Sequence, residues 1–327
     1  MSTDPMQGFD PKWTDPPHYI IGITREIWED RGIATLHQYY APEMPVRSPS
    51  SLVLGNQGVI AATMATLAEF PDRTLLGEDV IWCDDPDGGF LSSHRLLSTA
   101  THARDGVYGA ATGKQLTYRI IADCAARANT IHDEWLIRDQ GAIVRQMGWD
   151  PKQFAADQIA REGGPERCVK PFTPAIDVQG GYRGAGNDHQ AGHRYAGILA
   201  AIMGADLATI PCDYDRAVQL EHPGGTTGHS HADADRFWMG LRAVFPSARF
   251  EVHHRIGRDD PMMPPRAAIR WSLTGRHDGW GSFGPPTGAE VHMMGICHAE
   301  FGPWGIRREY VLIEETAIWK QILLKTG

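Results

Sequence analysis

The stretch IHDEWLIRD at residues 131–139 decides the fold, because a modified copy of it, IRREYVLIE, follows at residues 306–314. Position 131 of the first copy aligns with position 306 of the second, and this separation is the repeat offset. Side chains of a β-strand alternate between the faces of its sheet, so Trp135, Ile137 and Asp139 are expected on one face. In the copy, the same places are taken by Tyr310, Leu312 and Glu314. Each copy therefore ends a row of bulky apolar side chains with an acid, which predicts either a stabilising feature or the floor of a reactive pocket.

The repeat offset relates much of the chain to itself. Without a gap, it aligns residues 70–146 with residues 245–321. The identical pairs include Phe70 and Phe245, Arg95 and Arg270, His102 and His277, and Glu134 and Glu309. A shift of one position extends the match upstream, to Tyr40 and Tyr214. The chain is therefore predicted to be a tandem duplication of one domain, with a period far too long for a solenoid.

Each copy is predicted to be an α+β domain. In the first copy, apolar spacing and breaker residues predict helices from about Thr24 to Pro71, followed by a meander of antiparallel strands up to about residue 140. That order indicates helices that cover one face of a sheet. The predicted divisions are an extended arm at 1–18, a first domain at 19–148, a linker at 149–190 and a second domain at 191–327. Within the linker, a helix is expected from Pro151 to Arg161.

Composition restricts the classes of partner and the compartment. The net charge is −9 and the pI about 5.9, which gives no support for nucleic acid or an anionic membrane as a partner. The five cysteines form no C-x-x-C spacing, so reduced thiols in the cytoplasm are expected. Neither a secretory leader nor an apolar span of membrane length is evident. A soluble cytoplasmic protein is predicted.

Four motifs of the first copy resemble a known family. They are SPSS at 48–51, FPD at 70–72, STATHARDGVYGAATGK at 98–114 and IHDEWLIRDQGAIVRQMG at 131–148. Together they resemble the SnoaL-like polyketide cyclases, which belong to the superfamily of nuclear transport factor two and ketosteroid isomerase. The resemblance covers nearly all of residues 20–148 and, more weakly, residues 193–322. It implies two cystatin-like, cone-shaped half-barrels, each a curved antiparallel sheet packed on helices with a pocket between them.

The resemblance also implies a chemistry. In cyclases of this family, an acid of the last strand takes a proton from a carbon flanked by carbonyls, and the enolate closes a ring by aldol addition. The corresponding base here is Asp139, and the corresponding histidine is His102. Glu314 and His277 would form a second or degenerate site. No cofactor is expected for this chemistry.

Asp139 also has a physical case of its own. A carboxylate beside Trp135 and Ile137 would be partly desolvated, which raises its pKa and improves it as a proton acceptor. The alternative is a strand-end aspartate paired with an arginine such as Arg95 or Arg138. The further side chains expected to line a pocket are Trp135, Ile137, His94, Tyr310 and Leu312.

The histidines leave two alternatives open. His94 and His102 have the same strand parity, so either could donate a hydrogen bond to an enolate oxygen, yet a histidine in a sheet is often a buried structural residue. Arg95 and its counterpart Arg270 fall on the opposite parity, where a structural ion pair is expected. His229 and His231 form the one metal-like spacing, but Ser230 between them equally predicts a helix cap.

Two functional hypotheses result. The first is a cofactor-independent acid–base enzyme, a cyclase or isomerase, acting on a small or medium apolar carbonyl compound. The second is a non-catalytic ligand-binding protein whose second repeat serves as a built-in dimerisation partner. In both, the partner is a small molecule, the two repeats pack as an intramolecular pseudo-dimer, and a homodimer remains open.

Overall fold

The computed structural model describes residues 4–327 of the chain. The first repeat contains α1 (Pro16–Trp28), α2 (Leu36–Tyr39), β1 (Pro45–Ser48), β2 (Ser51–Leu54), α3 (Gly55–Glu69), β3 (Thr74–Asp84), β4 (Phe90–Thr101), β5 (Gln115–Arg127), β6 (Thr130–Arg138) and α4 (Gln140–Gln146). The connector contains α5 (Pro151–Arg161). The second repeat contains α6 (Gln190–Met203), α7 (Thr209–Asp213), β7 (Tyr214–His222), β8 (Thr226–Gly228), α8 (His231–Val244), β9 (Arg249–Arg258), β10 (Arg266–Arg276), β11 (Glu290–Gly302), β12 (Gly305–Ile313) and α9 (Glu315–Thr326).

The two repeats share one sheet topology. The first six-stranded sheet has the order β2-β1-β6-β5-β4-β3, and the second has the order β8-β7-β12-β11-β10-β9. The predicted α+β class and the tandem duplication are therefore confirmed. One detail differs from the expected antiparallel sheet, because β1 pairs with β6 in parallel, as β7 does with β12. The β1–β2 hairpin, which carries the SPSS motif at its turn, was not predicted as strands.

Both faces of the central strands are buried. One face of each sheet packs on the helices of its own repeat, and the other face packs against the opposite sheet. A cluster between the sheets contains Ile121, Ile137, Met294, Ile296 and Leu312, with Trp135 at its edge. Buried ion pairs accompany it: Arg95 Nε lies 2.9 Å from Glu78 Oε2, and Arg270 Nε lies 3.0 Å from Asp123 Oδ2. The structural role predicted for Arg95 and Arg270 is confirmed.

The N-terminal segment belongs to the core of the first repeat. Helix α1 begins at Pro16 and not near Thr24, because the Asp15 side chain caps it by accepting a hydrogen bond from the His18 backbone N–H at 2.8 Å. Upstream, Phe9 and Trp13 are buried in the same cluster as the residues of α1. The prediction of an arm outside the core at 1–18 is therefore wrong from residue 4 onward, and residues 1–3 lie outside the described part.

Within residues 4–327, no helix is long and apolar enough to cross a membrane.

Candidate functional site

A cavity of about 230 Å³ lies inside the first repeat, between its helices and the inner face of its sheet. Its apolar wall includes Trp28, Val59, Leu96, Ile120 and Leu136. Its charged or ionisable lining consists of Arg73, His94, Glu134, Arg138 and, from the second repeat, Glu314, together with the phenol of Tyr40. Ala62 of α3 lines the cavity and is exposed, so the cavity reaches solvent beside this helix. An apolar cavity with a few convergent polar groups is the usual form of a small-molecule site.

Strand β6 turns the face opposite to the predicted one toward this cavity. Glu134, Leu136 and Arg138 line it, whereas Trp135 and Ile137 lie between the two sheets. The alternation along the strand was predicted correctly, but the inner face was assigned wrongly. Both faces of β6 are covered by protein, so apolar side chains on one face do not identify it as the pocket face.

Of the five predicted pocket-lining residues, only His94 lines the cavity. Leu312 lies in the cluster between the sheets, and the ring of Tyr310 stacks under the guanidinium of Arg95, with 3.5 Å from Arg95 Cζ to the ring centroid. Both positions follow from the same error of face, because β12 repeats the alternation of β6. His94 is buried, its Nδ1 has no hydrogen-bond partner among residues 4–327, and burial lowers its pKa to about 4. The imidazole is therefore neutral at pH 7 and is able to donate or accept one hydrogen bond.

Glu134 is the carboxyl group of the cavity with the fewest donors. It is 7% exposed, and the phenol of Tyr40 is the neighbour that favours its charged form most. Burial and, to a smaller extent, the charge of Asp133 raise the pKa of Glu134 to about 7, against the opposing effects of Tyr40 and Arg138. A carboxyl group with a pKa near 7 exchanges protons readily at physiological pH, which is the property that a general base requires.

The equivalent acid of the second repeat has a different environment. Glu309 is fully buried and is surrounded by donors. Its hydrogen-bond partners are Tyr195 Oη at 2.9 Å, Tyr214 Oη at 2.6 Å, Trp238 Nε1 at 3.3 Å and His222 Nε2 at 3.4 Å. Only the tyrosine at 214 has a counterpart in the first repeat, which is Tyr40. Glu309 is therefore part of a satisfied polar network, whereas Glu134 keeps its capacity to accept a proton or a hydrogen bond.

Side-chain size explains why only the first repeat has this cavity. At the repeat offset, Thr63 of α3 corresponds to Trp238 of α8, and Leu96 of β4 corresponds to Trp271 of β10. Both tryptophans are fully buried, with their ring centroids 6.3 Å apart. These two indoles fill the volume that is open in the first repeat. The difference between small and large residues at matched positions is visible in the sequence, and it is the signal that could have located the cavity and Glu134 within it.

Asp139 does not line the cavity. It follows β6 and caps α4, with its Oδ1 accepting a hydrogen bond from the Ala142 backbone N–H at 3.0 Å. Its carboxylate also accepts from the backbone N–H groups of Gly224 at 2.9 Å and Gly225 at 3.0 Å, in the turn between β7 and β8. Burial raises its pKa to about 6, while these amides lower it. The acid predicted as the base thus joins the two repeats, and its catalytic role stays a prediction.

Replacing Asp139 with alanine should destabilise the fold by about 3 kcal/mol, because a helix cap and two part-buried backbone amides of the other repeat lose their acceptor. Urea unfolding measures the change. A matched control is Asp150→Ala, which removes an exposed cap of α5 that accepts from Lys152 and Gln153 and should cost only about 1 kcal/mol. Unchanged stability with loss of turnover in Asp139→Ala would instead support its role as the base.

Glu314 crosses from the second repeat into the cavity of the first. It occupies the position equivalent to Asp139, and it interacts with Ser50 in the turn between β1 and β2, which corresponds to the turn that Asp139 contacts. Burial raises the pKa of Glu314 to about 7, while the charge of Arg138 lowers it. The side chain is one methylene longer than aspartate, and it does not cap its own helix, α9, although Thr316 Oγ1 of that helix donates to its Oε1 at 3.4 Å. The second repeat therefore supplies a carboxyl group to the site of the first.

His102 and His277 lie at the loops that follow β4 and β10, away from the cavity lining. His102 Nε2 is 3.0 Å from Glu69 Oε1, and its Nδ1 is 3.0 Å from Thr112 Oγ1. His277 Nδ1 is 3.0 Å from Thr287 Oγ1. The structure does not bring either histidine together with Glu134, and the contacts favour the alternative of buried structural residues.

The His229–His231 segment follows its helix-cap alternative. Ser230 Oγ accepts a hydrogen bond from the Asp233 backbone N–H at 3.2 Å at the start of α8, and His231 Nε2 lies 2.9 Å from the Tyr214 carbonyl oxygen. Across residues 4–327, no group of three or more potential ligand residues has the geometry to hold a metal ion.

The match to a known protein family lies in the second repeat. Residues 196–305 match the sequence profile of the SnoaL-like domain. Residues 196–305 therefore form a SnoaL-like domain. The first half has the same strand order, and its sequence aligns with the second at the repeat offset, so the chain is a tandem duplication of this domain. A search of curated proteins finds no match to the chain.

Among solved structures, proteins that align over nearly their whole length are similar to part of this chain. IdmH from Streptomyces antibioticus is 22% identical, with a TM-score of 0.36, over 41% of this chain and 99% of its own. TsrD from Streptomyces laurentii is 16% identical, with a TM-score of 0.36, over 43% and 98%. A SnoaL-like polyketide cyclase from Agrobacterium tumefaciens is 20% identical, with a TM-score of 0.33, over 41% and 99%.

Proposed function

We propose that this protein is a cofactor-independent acid–base enzyme, of the cyclase or isomerase type, that acts on a small or medium apolar carbonyl compound in the cavity of the first repeat. The observation that carries the proposal is Glu134, a buried carboxyl group with a pKa of about 7 in an apolar cavity. It replaces Asp139 as the base in the proposal, because Asp139 is held by three backbone amides outside the cavity lining.

In the proposed reaction, Glu134 carries out one proton transfer. Its carboxylate takes a proton from the carbon beside a carbonyl group, and the electron pair of that C–H bond becomes the enolate. In an isomerase, the proton returns to another carbon. In a cyclase, the enolate carbon bonds to a second carbonyl carbon of the same molecule, whose oxygen receives the proton. The guanidinium group of Arg138 lines the same cavity and would stabilise the negative oxygen, the interaction that most lowers such barriers.

The second repeat has a supporting role in this proposal. Its own interior is filled by Trp238 and Trp271, and its equivalent acid, Glu309, is fully hydrogen-bonded. It contributes Glu314 to the cavity of the first repeat and covers the outer face of the first sheet. This arrangement also supports part of the alternative function, in which the second repeat is a built-in dimerisation partner and the cavity only carries a ligand.

Deuterium exchange distinguishes the two functions. The purified chain, in D₂O and without added cofactor, should speed the exchange of protons beside the carbonyl in at least one member of a panel of apolar ketones, β-diketones and oxo acids. Proton NMR measures the rate. A panel member that binds, as seen by calorimetry, but exchanges no faster than in buffer supports the carrier function. Binding without exchange for every ligand found would contradict the enzyme proposal.

A further inference from the structure

Arg73 is a buried cation without a counter-ion. The residue is 2% exposed, and its Nε donates to two hydroxyl oxygens, Tyr118 Oη at 3.0 Å and Ser98 Oγ at 3.3 Å. Its Cζ lies 4.3 Å from the ring centroid of Trp28, and Nη1 has no hydrogen-bond partner among residues 4–327. A buried charge without a partner costs several kcal/mol, so this guanidinium is expected to have a use.

The other deeply buried arginines all have carboxylate partners. The pairs are Arg47 with Asp133, Arg95 with Glu78, Arg266 with Asp79 and Arg270 with Asp123. In contrast, no carboxylate oxygen of the described chain lies within 4.0 Å of a guanidinium nitrogen of Arg73. This exception lines the cavity, as does the less deeply buried Arg138. Burial alone therefore does not explain why Arg73 lacks a partner.

The fold does not require either arginine. At the repeat offset, Arg73 corresponds to Ala248 and Arg138 to Ile313, both buried in the filled second repeat. The two guanidinium groups thus occur only where the interior is open. Of the two, Arg138 has acids as electrostatic neighbours, since its charge lowers the pKa of both Glu134 and Glu314. Arg73 has no carboxyl group as such a neighbour, because its acidic neighbours are the phenols of Tyr118 and Tyr108, so no carboxylate compensates its positive charge.

We propose that the cavity binds an organic monocarboxylate, whose carboxylate pairs with the guanidinium of Arg73 and whose apolar body lies against Trp28 and Leu96. One uncompensated charge matches one negative charge, and a planar guanidinium matches the geometry of a carboxylate. The inference rests on the proposed function in one respect, because the carbonyl group of the substrate is taken from it. A carboxylate and a carbonyl group together make the substrate an oxo acid. Binding of the carboxylate follows from Arg73 alone.

Calorimetry with three acids and their methyl esters tests this inference: levulinate, hexanoate and benzoate. The full chain should bind at least one acid about tenfold to a hundredfold more tightly than its ester, the value of a charge-assisted hydrogen bond. Arg73→Met should lose this preference. Arg104→Met, which removes an equal charge from an exposed position, should keep it.

The melting temperature without ligand gives a second measurement. Arg73→Met should melt no lower than the wild type, because an uncompensated charge is replaced by an apolar chain of similar length. Equal binding of acids and esters by the wild type, the same preference in Arg73→Met, or a clear drop in its melting temperature would each overturn the inference. Glu134→Gln should keep the preference, so a failure of the proposed chemistry is distinguished from a failure of carboxylate binding.

Discussion

Glu134→Gln is expected to lower the rate of deuterium exchange by about 10² to 10⁴-fold, the usual contribution of general acid–base catalysis. The amide keeps the size of the side chain but accepts no proton from carbon. In the wild type, kcat/KM should rise with pH and level off above about 7, because only the carboxylate is the base and its pKa in the folded protein is about 7. The variant should lose this rise.

The same substitution, which lowers activity, should raise stability at neutral pH. Burial raises the pKa of Glu134 from 4.5 to about 7, so its contribution to stability is fully present below pH 4.5 and is lost as the pH rises through 7. The difference corresponds to about 3 kcal/mol. Glutamine has no such dependence. The free energy of unfolding of the variant should therefore rise relative to that of the wild type between pH 5 and pH 8. The neighbours Asp133, Arg138 and Tyr40 are the same in both proteins.

Glu309→Gln is the matched control, since it makes the same change at the equivalent position of the second repeat. It disturbs a network of four donors and should reduce stability, while turnover per folded molecule stays within about twofold of the wild type. Equal losses of turnover in the two variants would show that the effect of Glu134→Gln is structural, and the base would have to be sought elsewhere.

Thr63→Trp is expected to abolish ligand binding and turnover, by at least about 100-fold, while the fold persists. Thr63 is buried at the cavity wall, and its counterpart Trp238 fills the second repeat and donates to Glu309 at 3.3 Å. An indole at position 63 would occupy the cavity and offer the same hydrogen bond to Glu134. That bond favours the charged carboxylate, so the pKa of Glu134 should fall toward its ordinary value.

Unfolding and binding measurements separate this result from simple misfolding. Overpacking usually costs about 1–3 kcal/mol, but here an open cavity receives the ring, so the change in unfolding free energy should be smaller. Ala61→Trp, on an exposed face of α3, is the control and should retain wild-type turnover. Binding and turnover that survive in Thr63→Trp would place the reaction outside this cavity and would contradict the assignment of the site.

Several features of this protein were determined by its sequence alone. The internal repetition predicted two copies of one domain, and the order of helices and strands predicted the α+β class. The identity of Glu134 and Glu309 at matched positions was also visible, as were the small residues of the first copy opposite the tryptophans of the second. Each of these signals is a local sequence pattern or comes from the alignment of the two copies. They therefore do not depend on how the two domains pack.

The tertiary structure decided which of these residues form a site. Alternation along β6 separates Glu134 from Trp135, but it does not say which face meets the helices, because the second sheet buries the other face equally well. Nor does it show that Asp139 and Glu314 each cross to the opposite repeat. The position of an acid at the end of a strand is fixed by local sequence, whereas its partners belong to a segment far away in the chain. For that reason Glu134, and not the acid at the strand end, became the proposed base.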